Sequence, residues 1–141
     1  MLLNTQTAII TGAARGIGKQ IALAFAREGA NIAFTDLEFN EAAQATRDEI
    51  AALGVKVQFY ASNAADFEAA HAVVEQVVAD FGGVDILVNN AGITRDTLLM
   101  RMTEAQWDQV IPVNLKSAFN FTHAVTSVMM RHRSGSIISL S

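Results

Sequence analysis

The sequence predicts an α/β fold, a doubly wound parallel sheet with helices on both faces. Three observations carry this. Short apolar runs alternate with longer amphipathic stretches, the rhythm of strand–helix–strand units. The short runs are apolar throughout, not at every second residue, as strands covered on both faces are. A glycine-rich turn, TGAARGIG, stands between the first run and the first amphipathic stretch, where a parallel sheet feeds a strand into its crossover helix.

Taken in order, Thr7-Ala8-Ile9-Ile10 reads as a buried strand. Ile17 to Glu28 follows as a helix with apolar residues at 17, 21, 24 and 25, stopped by Gly29. Asn31 to Thr35 is the second strand, Glu41 to Leu53 a helix ending at Gly54, and Val55 to Tyr60 the third strand. A helix from about Phe67 to Phe81 stops at the Gly82-Gly83 pair, and Val84 to Val88 is the fourth strand. Thr103-Glu104-Ala105-Gln106 has the form of a capping box and predicts a short helix, and Pro112 suits the first turn of another that runs to about Met130. Ser136 to Leu140 completes the set as a fifth strand.

A chain of 141 residues, 51% apolar and 17% charged, with one proline and no Gly/Ser linker, reads as one domain over residues 1–141. At this size folding hides about two-thirds of the unfolded surface. The absence of cysteine excludes a disulfide framework and thiolate metal sites. His71, His123 and His132 are scattered without ligand spacing, so they read as surface or internally satisfied imidazoles and no metal is expected. The amino terminus has no basic segment before its apolar run, and no stretch approaches the roughly 18 apolar residues of a membrane span. A cytoplasmic protein without a membrane partner is the expectation. Residues 1–108 hold all fourteen acidic and seven basic side chains, a balance of 7 − 14 = −7; Lys116, Arg131 and Arg133 make the remainder +3. This acidic chain is not expected to bind nucleic acid, and its basic corner suits an anionic partner.

The chemistry begins in the first turn, where Gly12, Gly16 and Gly18 precede and open a helix. Glycines there permit a tight turn and close approach of the backbone to a pyrophosphate, whose charge faces the positive end of the helix. The spacing is G-x-x-x-G-x-G, which departs from the G-x-G-x-x-G fingerprint. Asp36, 24 residues beyond Gly12, stands at the end of the second strand, where a carboxylate accepts from an adenosine ribose and repels a 2′-phosphate. A solvated residue capping the next turn is the competing reading. Arg15 pulls toward a 2′-phosphate, so NADH is favoured by Asp36 while NADPH stays open. Asn89-Asn90-Ala91-Gly92, at the end of the fourth strand, offers short side chains and accessible backbone to a nucleotide across the sheet edge.

TGAARGIG, VDILVNNAG and VNLKSAF, in this order, resemble the short-chain dehydrogenase/reductase family. NNAGITRDTLLMRM, the W-x-x-V-I-x-V-N-L stretch and MMRHRSGSII are similar to the bacterial 3-oxoacyl-(acyl-carrier-protein) reductases, over the entire chain. The resemblance implies the amino-terminal five-strand portion of a Rossmann-like three-layer sandwich. It implies that Gly12, Arg15, Gly16, Ile17 and Gly18 hold the pyrophosphate and nearby ribose of NAD(P)H, and that Asp36 reads the adenosine ribose. Asn63 and Ala64 then touch adenine, and Asn90, Ala91 and Gly92 line the nicotinamide side. Asn114 matches the active-site asparagine that holds a helix kink and positions a water, although a helix asparagine bonding locally is the plain alternative. Arg131 and Arg133 match basic side chains that dock acyl carrier protein, and cations placed against the negative end of a helix dipole explain them equally well.

The implied activity is NAD(P)H-dependent reduction of a 3-oxoacyl thioester in fatty-acid synthesis, by a homotetramer. Another alcohol or ketone substrate, or a non-catalytic nucleotide-binding fragment, are the alternatives. The family's proton donor belongs to Tyr-x-x-x-Lys, yet Tyr60, the single tyrosine, precedes Ala61-Ser62-Asn63-Ala64. By the family register Ser141 falls one residue short of the catalytic serine, so the expectation is a domain incomplete at its carboxyl end and inactive by itself.

Overall fold

The computed structural model describes residues 1–92 and 101–140. Five parallel strands, β1 (Thr7–Ile10), β2 (Asn31–Asp36), β3 (Val57–Ala61), β4 (Ile86–Asn89) and β5 (Ser136–Ser139), form one sheet in the order β3-β2-β1-β4-β5. The chain steps outward from β1 to β3, then returns to the other side of β1 with β4, so the direction of winding reverses between β1 and β4. Helices α1 (Gly16–Arg27), α2 (Glu41–Ala51), α3 (Phe67–Phe81) and α4 (Glu104–His132) are the crossovers. This is the doubly wound, Rossmann-like sheet that the sequence predicts.

Continuous apolar strands follow from two covered faces. Because side chains alternate along a strand, Ile9, Ala33 and Leu87 point to one face and pack with Val73, Val74 and Val77 of α3 and Phe121, Val125 and Val128 of α4. Ala8, Ile10, Ile32, Phe34, Ile86 and Val88 point to the other and meet Leu23 and Ala26 of α1 and Ile50 of α2. Each of these large side chains, hidden fully, contributes about 1.5–3 kcal/mol of transfer free energy. β5 is the outer edge, and both Ile137 and Ile138 stay more than 40% exposed.

Strand and helix limits fall within two residues of those the sequence suggests, except between 103 and 132. There the predicted pair of helices is a single helix with Pro112 inside it. Pro112 lacks the N–H that would reach back to Asp108, a defect costing about 3 kcal/mol. Two terms together offset it and carry the helix through. The Thr103 capping box is complete, with Thr103 Oγ1 accepting from Gln106 N–H and Gln106 Oε1 accepting from Thr103 N–H. Farther along, Phe121, Ala124, Val125 and Val128 bury one continuous face against the sheet. The helix ends at Arg133, a non-glycine residue at φ 55°, and Gly135 follows.

Candidate nucleotide-binding cleft

All five strands point their carboxyl ends to one edge, and the reversal between β1 and β4 opens a crevice there. Gly12 makes the first turn possible. Its φ is +64°, and a Cβ on it would stand 2.9 Å from Ala91 Cα, so only glycine lets the turn after β1 pass against the end of β4. Gly18 does the same from the helix side, where a Cβ would meet Asn90 Nδ2 at 2.5 Å. In that space the Asn90 amide donates to the Gly12 carbonyl at 3.0 Å. Gly16 is required for its backbone alone, at φ +65° with open space beside it. The G-x-x-x-G-x-G spacing is thus one turn fitted around one asparagine.

Thr11, which the sequence reading passed over, organises the same junction. Its buried Oγ1 accepts from Asn90 N–H at 3.0 Å and from Ala91 N–H at 2.9 Å. A threonine one place beyond an apolar strand carries no signal of that role.

Side-chain caps mark a second asymmetry. Among the described residues Asn40, Asp66 and Thr103 cap α2, α3 and α4, each accepting from a backbone N–H of the first turn. Arg15, at the N-cap of α1, makes no such bond. The start of α1, without a side-chain cap and with its dipole's positive end at the glycine turn, has the form of an anion site.

Asp36 closes the end of β2. One carboxylate oxygen accepts from Ala14 N–H at 3.2 Å and the other from Leu37 N–H at 2.9 Å, which fixes the group between two turns while leaving further lone pairs. Beyond β3, Asn63 Oδ1 accepts from Ala65 N–H, and the Ala64 carbonyl accepts from Asn120 Nδ2 at 3.0 Å. Asn120 is fully buried in α4 and is another contributor the sequence reading missed, because the residues it links are 56 positions apart.

These parts enclose a cleft of about 530 Å³, within the range of small-molecule sites. Of the residues the sequence nominates, Gly12, Arg15, Asp36, Asn63, Ala64, Asn90, Ala91 and Gly92 line it. Gln109, Val113 and Ser117 of α4 close it from a side the sequence left unassigned. Gly16, Ile17 and Gly18 do not line it: Gly18 packs behind Gly12 and Asn90, Gly16 faces open space, and Ile17 is 70% exposed on the helix surface. Asn114 is half-buried at the end of the cleft; a Cβ on Gly92 would lie 2.5 Å from Asn114 Oδ1.

Other nominated residues are elsewhere. Arg131 and Arg133 end α4 just before β5 begins, at the amino edge of the sheet opposite the cleft, where both cations complement the helix dipole. Tyr60 O–H donates to Asp80 Oδ2 at 2.7 Å, and Asp80 lies in the last turn of α3, also toward that edge. Burial, then the hydrogen bond and charge of Asp80, push the phenol well above its ordinary range. Ser141 lies outside the described residues. His71 and His123, scattered in sequence, meet in space with ring nitrogens 2.9 Å apart.

The short chain dehydrogenase family model matches residues 6–141. The chain belongs to that family. It is 50% identical over 137 residues to the 3-oxoacyl-[acyl-carrier-protein] reductase FabG of Staphylococcus aureus strain Mu50, covering 97% of this chain and 56% of that protein. It is 47% identical over 141 residues to the enzyme of the same name from Thermotoga maritima, covering all of this chain and 57% of the relative. Among solved structures, NAD+-bound xylitol dehydrogenase superposes with a TM-score of 0.91 at 30% identity, over 99% of this chain and 54% of the other. A metagenomic short-chain oxidoreductase in complex with NADP gives 0.88 at 35% identity, over 100% and 64%. This short-chain dehydrogenase chain therefore spans a little over half the length of the curated relatives it matches. No helix among the described residues is long and apolar enough to cross a membrane.

Proposed function

We propose that residues 1–141 form the NAD(P)H-binding part of an oxidoreductase that reduces 3-oxoacyl thioesters carried on acyl carrier protein, in the cytoplasm and as a homotetramer. The uncapped start of α1 at the glycine turn, where the other helices among the described residues are capped by side chains, is the observation that supports cofactor binding most directly. The residues fit the group: Gly12 and Gly18 remove side chains where the backbone must be approached, and the cleft is long enough to touch the ends of β1 through β4.

Gly12, Arg15, Gly16, Ile17 and Gly18 hold the diphosphate and adjoining ribose, with backbone N–H groups as donors. Asp36 accepts from the adenosine ribose, which favours NADH, while Arg15 on the same cleft can pair with a 2′-phosphate. Asn63 and Ala64 receive adenine on a loop that Asn120 steadies. Asn90, Ala91 and Gly92 form the nicotinamide end, and Asn114, beside Gly92, is the active-site asparagine that positions a water for the proton relay. When bound, the nicotinamide supplies the hydride. The accompanying proton needs a donor that Tyr60 does not provide, because its hydroxyl is committed to Asp80 away from the cleft. The proposed division is cofactor binding by residues 1–141 and proton donation by residues outside them.

The thioester substrate and acyl carrier protein rest on the FabG relatives and on the basic end of α4. Arg131 and Arg133 lie far from the cleft of their own chain, so their docking role is tested separately by charge reversal: Arg131→Glu with Arg133→Glu raises KM for the acyl carrier protein substrate and leaves KM for a small thioester unchanged. The reaction itself is tested with the gene's full product, by following oxidation of NADH and NADPH with an acetoacetyl thioester. Turnover supports the reading; a product inert to the thioester but active on a sugar or steroid alcohol selects the other reading.

A further inference from the structure

We propose that His71 and His123 form an exchangeable site for a tetragonal divalent transition-metal cation of the Cu(II) or Ni(II) kind, clasping α3 to α4. His71 Nε2 and His123 Nδ1 approach to 2.9 Å from two helices that pack together. His71 Nδ1 lies 2.9 Å from the Phe67 carbonyl. A carbonyl only accepts, so Nδ1 carries the proton, and the lone pair of neutral His71 sits on Nε2, facing its partner. A backbone carbonyl behind the ring is also the second-shell contact that orients metal-bound imidazoles.

In the empty pair His123 Nδ1–H donates to His71 Nε2. For a cation to bind, His123 passes to its other neutral tautomer, with the proton on Nε2, and both facing nitrogens present lone pairs. No net proton is lost and no redox step is involved. His123 is exposed and His71 half-buried, so water and ions reach the pair and the outer ring can turn.

Rings this close take adjacent positions on a cation, not opposite ones. At a metal–nitrogen distance of about 2.05 Å, ligands at right angles stand about 2.9 Å apart and tetrahedral ligands about 3.3 Å. The observed 2.9 Å is the length of the N–H···N hydrogen bond, whose axis runs from ring to ring; once the exposed His123 ring turns so that both lone pairs converge beside that line, the same separation accommodates ligands at right angles. Tetragonal nitrogen sites suit Cu(II) and Ni(II), and Cu(II) leads the affinity order for nitrogen donors. Among the described residues no group of three or more His, Asp or Glu side chains stands ready for a metal, so water fills the remaining positions and the cation exchanges. Phe67 and Phe119 stack beside the pair on the surface, with Phe67 4.2 Å from the His71 ring and Phe119 5.6 Å from that of His123, which restricts how far the rings turn.

The test is titration of the chain with CuCl₂, read by electron paramagnetic resonance. The expected result is one site whose spectrum shows two imidazole nitrogens. Affinity then falls at least tenfold in His71→Gln and in His123→Gln and is unchanged in His132→Gln. Unchanged affinity in both of the first two variants, or a two-imidazole signature that persists in them, overturns the site. Should either variant fail to fold, the unmodified chain decides: substoichiometric Ni(II) must broaden the ring resonances of His71 and His123 before those of His132, and the reverse order overturns the site as well.

Discussion

Replacing Gly18 by alanine tests how tightly the glycine turn is fitted to β4. The new Cβ would stand 2.5 Å from Asn90 Nδ2, 2.7 Å from the Gly12 carbonyl oxygen and 3.0 Å from Ala13 Cα, against 3.4 Å for ordinary contact. The Asn90 amide must therefore retreat by 3.4 − 2.5 = 0.9 Å, which breaks its bond to Gly12 O. Overpacking of this kind costs about 1–3 kcal/mol and the lost hydrogen bond about 1 kcal/mol. Removing a glycine from a helix returns about 1 kcal/mol, so the net loss is about 1–3 kcal/mol. Asn90→Ala alone costs about 1 kcal/mol for the same hydrogen bond, and it also removes the nearest atom of the clash. The double variant should therefore lose at least 0.5 kcal/mol less than the sum of the single variants, a coupling of about the size seen for residues in contact. Urea unfolding of the four proteins measures it. Additivity within about 0.3 kcal/mol would refute the claim that Gly18 is small because Asn90 needs the room.

Three further expectations concern the rest of the molecule. Asn120→Ala leaves the Ala64 carbonyl without its buried donor, so stability falls by about 1–3 kcal/mol and affinity for NADH falls with it, as calorimetric titration would register. Tyr60 has a raised pKa in the folded chain; folding thus favours the protonated phenol, and its contribution is complete below the unfolded pKa near 10 and lost as pH rises above it. Unfolding midpoints between pH 9 and 11.5 should fall more steeply for the unmodified chain than for Tyr60→Phe, and parallel curves would exclude the Asp80 contact. Pro112→Ala restores a helix N–H opposite the Asp108 carbonyl, so the chain should gain about 1–3 kcal/mol with no change in far-UV circular dichroism beyond a slight rise in helicity.

The sheet was legible because its signals are local: uninterrupted apolar runs, and glycines that end α3 and follow α1 and α2, announce each element within a few residues. The walls of the cleft formed by the turns after β1 to β4 were legible for the same reason, since each residue there follows directly on a strand. What escaped was contributed at a distance. Gln109, Val113 and Ser117 reach the cleft only because α4 crosses its mouth, and the role of Asn120 depends on a carbonyl 56 residues away. The His71–His123 pair is hidden for the same reason, 52 residues apart on successive helices. Pro112 shows the opposite failure: a strong local signal for a helix start was overridden by a completed capping box upstream and a buried face downstream. The capping box was local and legible, but the buried face cannot be weighed until the helix is placed on the sheet.

The most direct test of nucleotide binding is calorimetric titration of the folded chain with NADH and with NADPH, alongside Asp36→Ala. Saturable binding of one NADH per chain is predicted, tighter than NADPH, with the preference falling at least tenfold in the variant. A chain with native circular dichroism that takes up neither nucleotide would contradict the assignment of the cleft, and equal weakening of both nucleotides in Asp36→Ala would contradict the role given to that carboxylate.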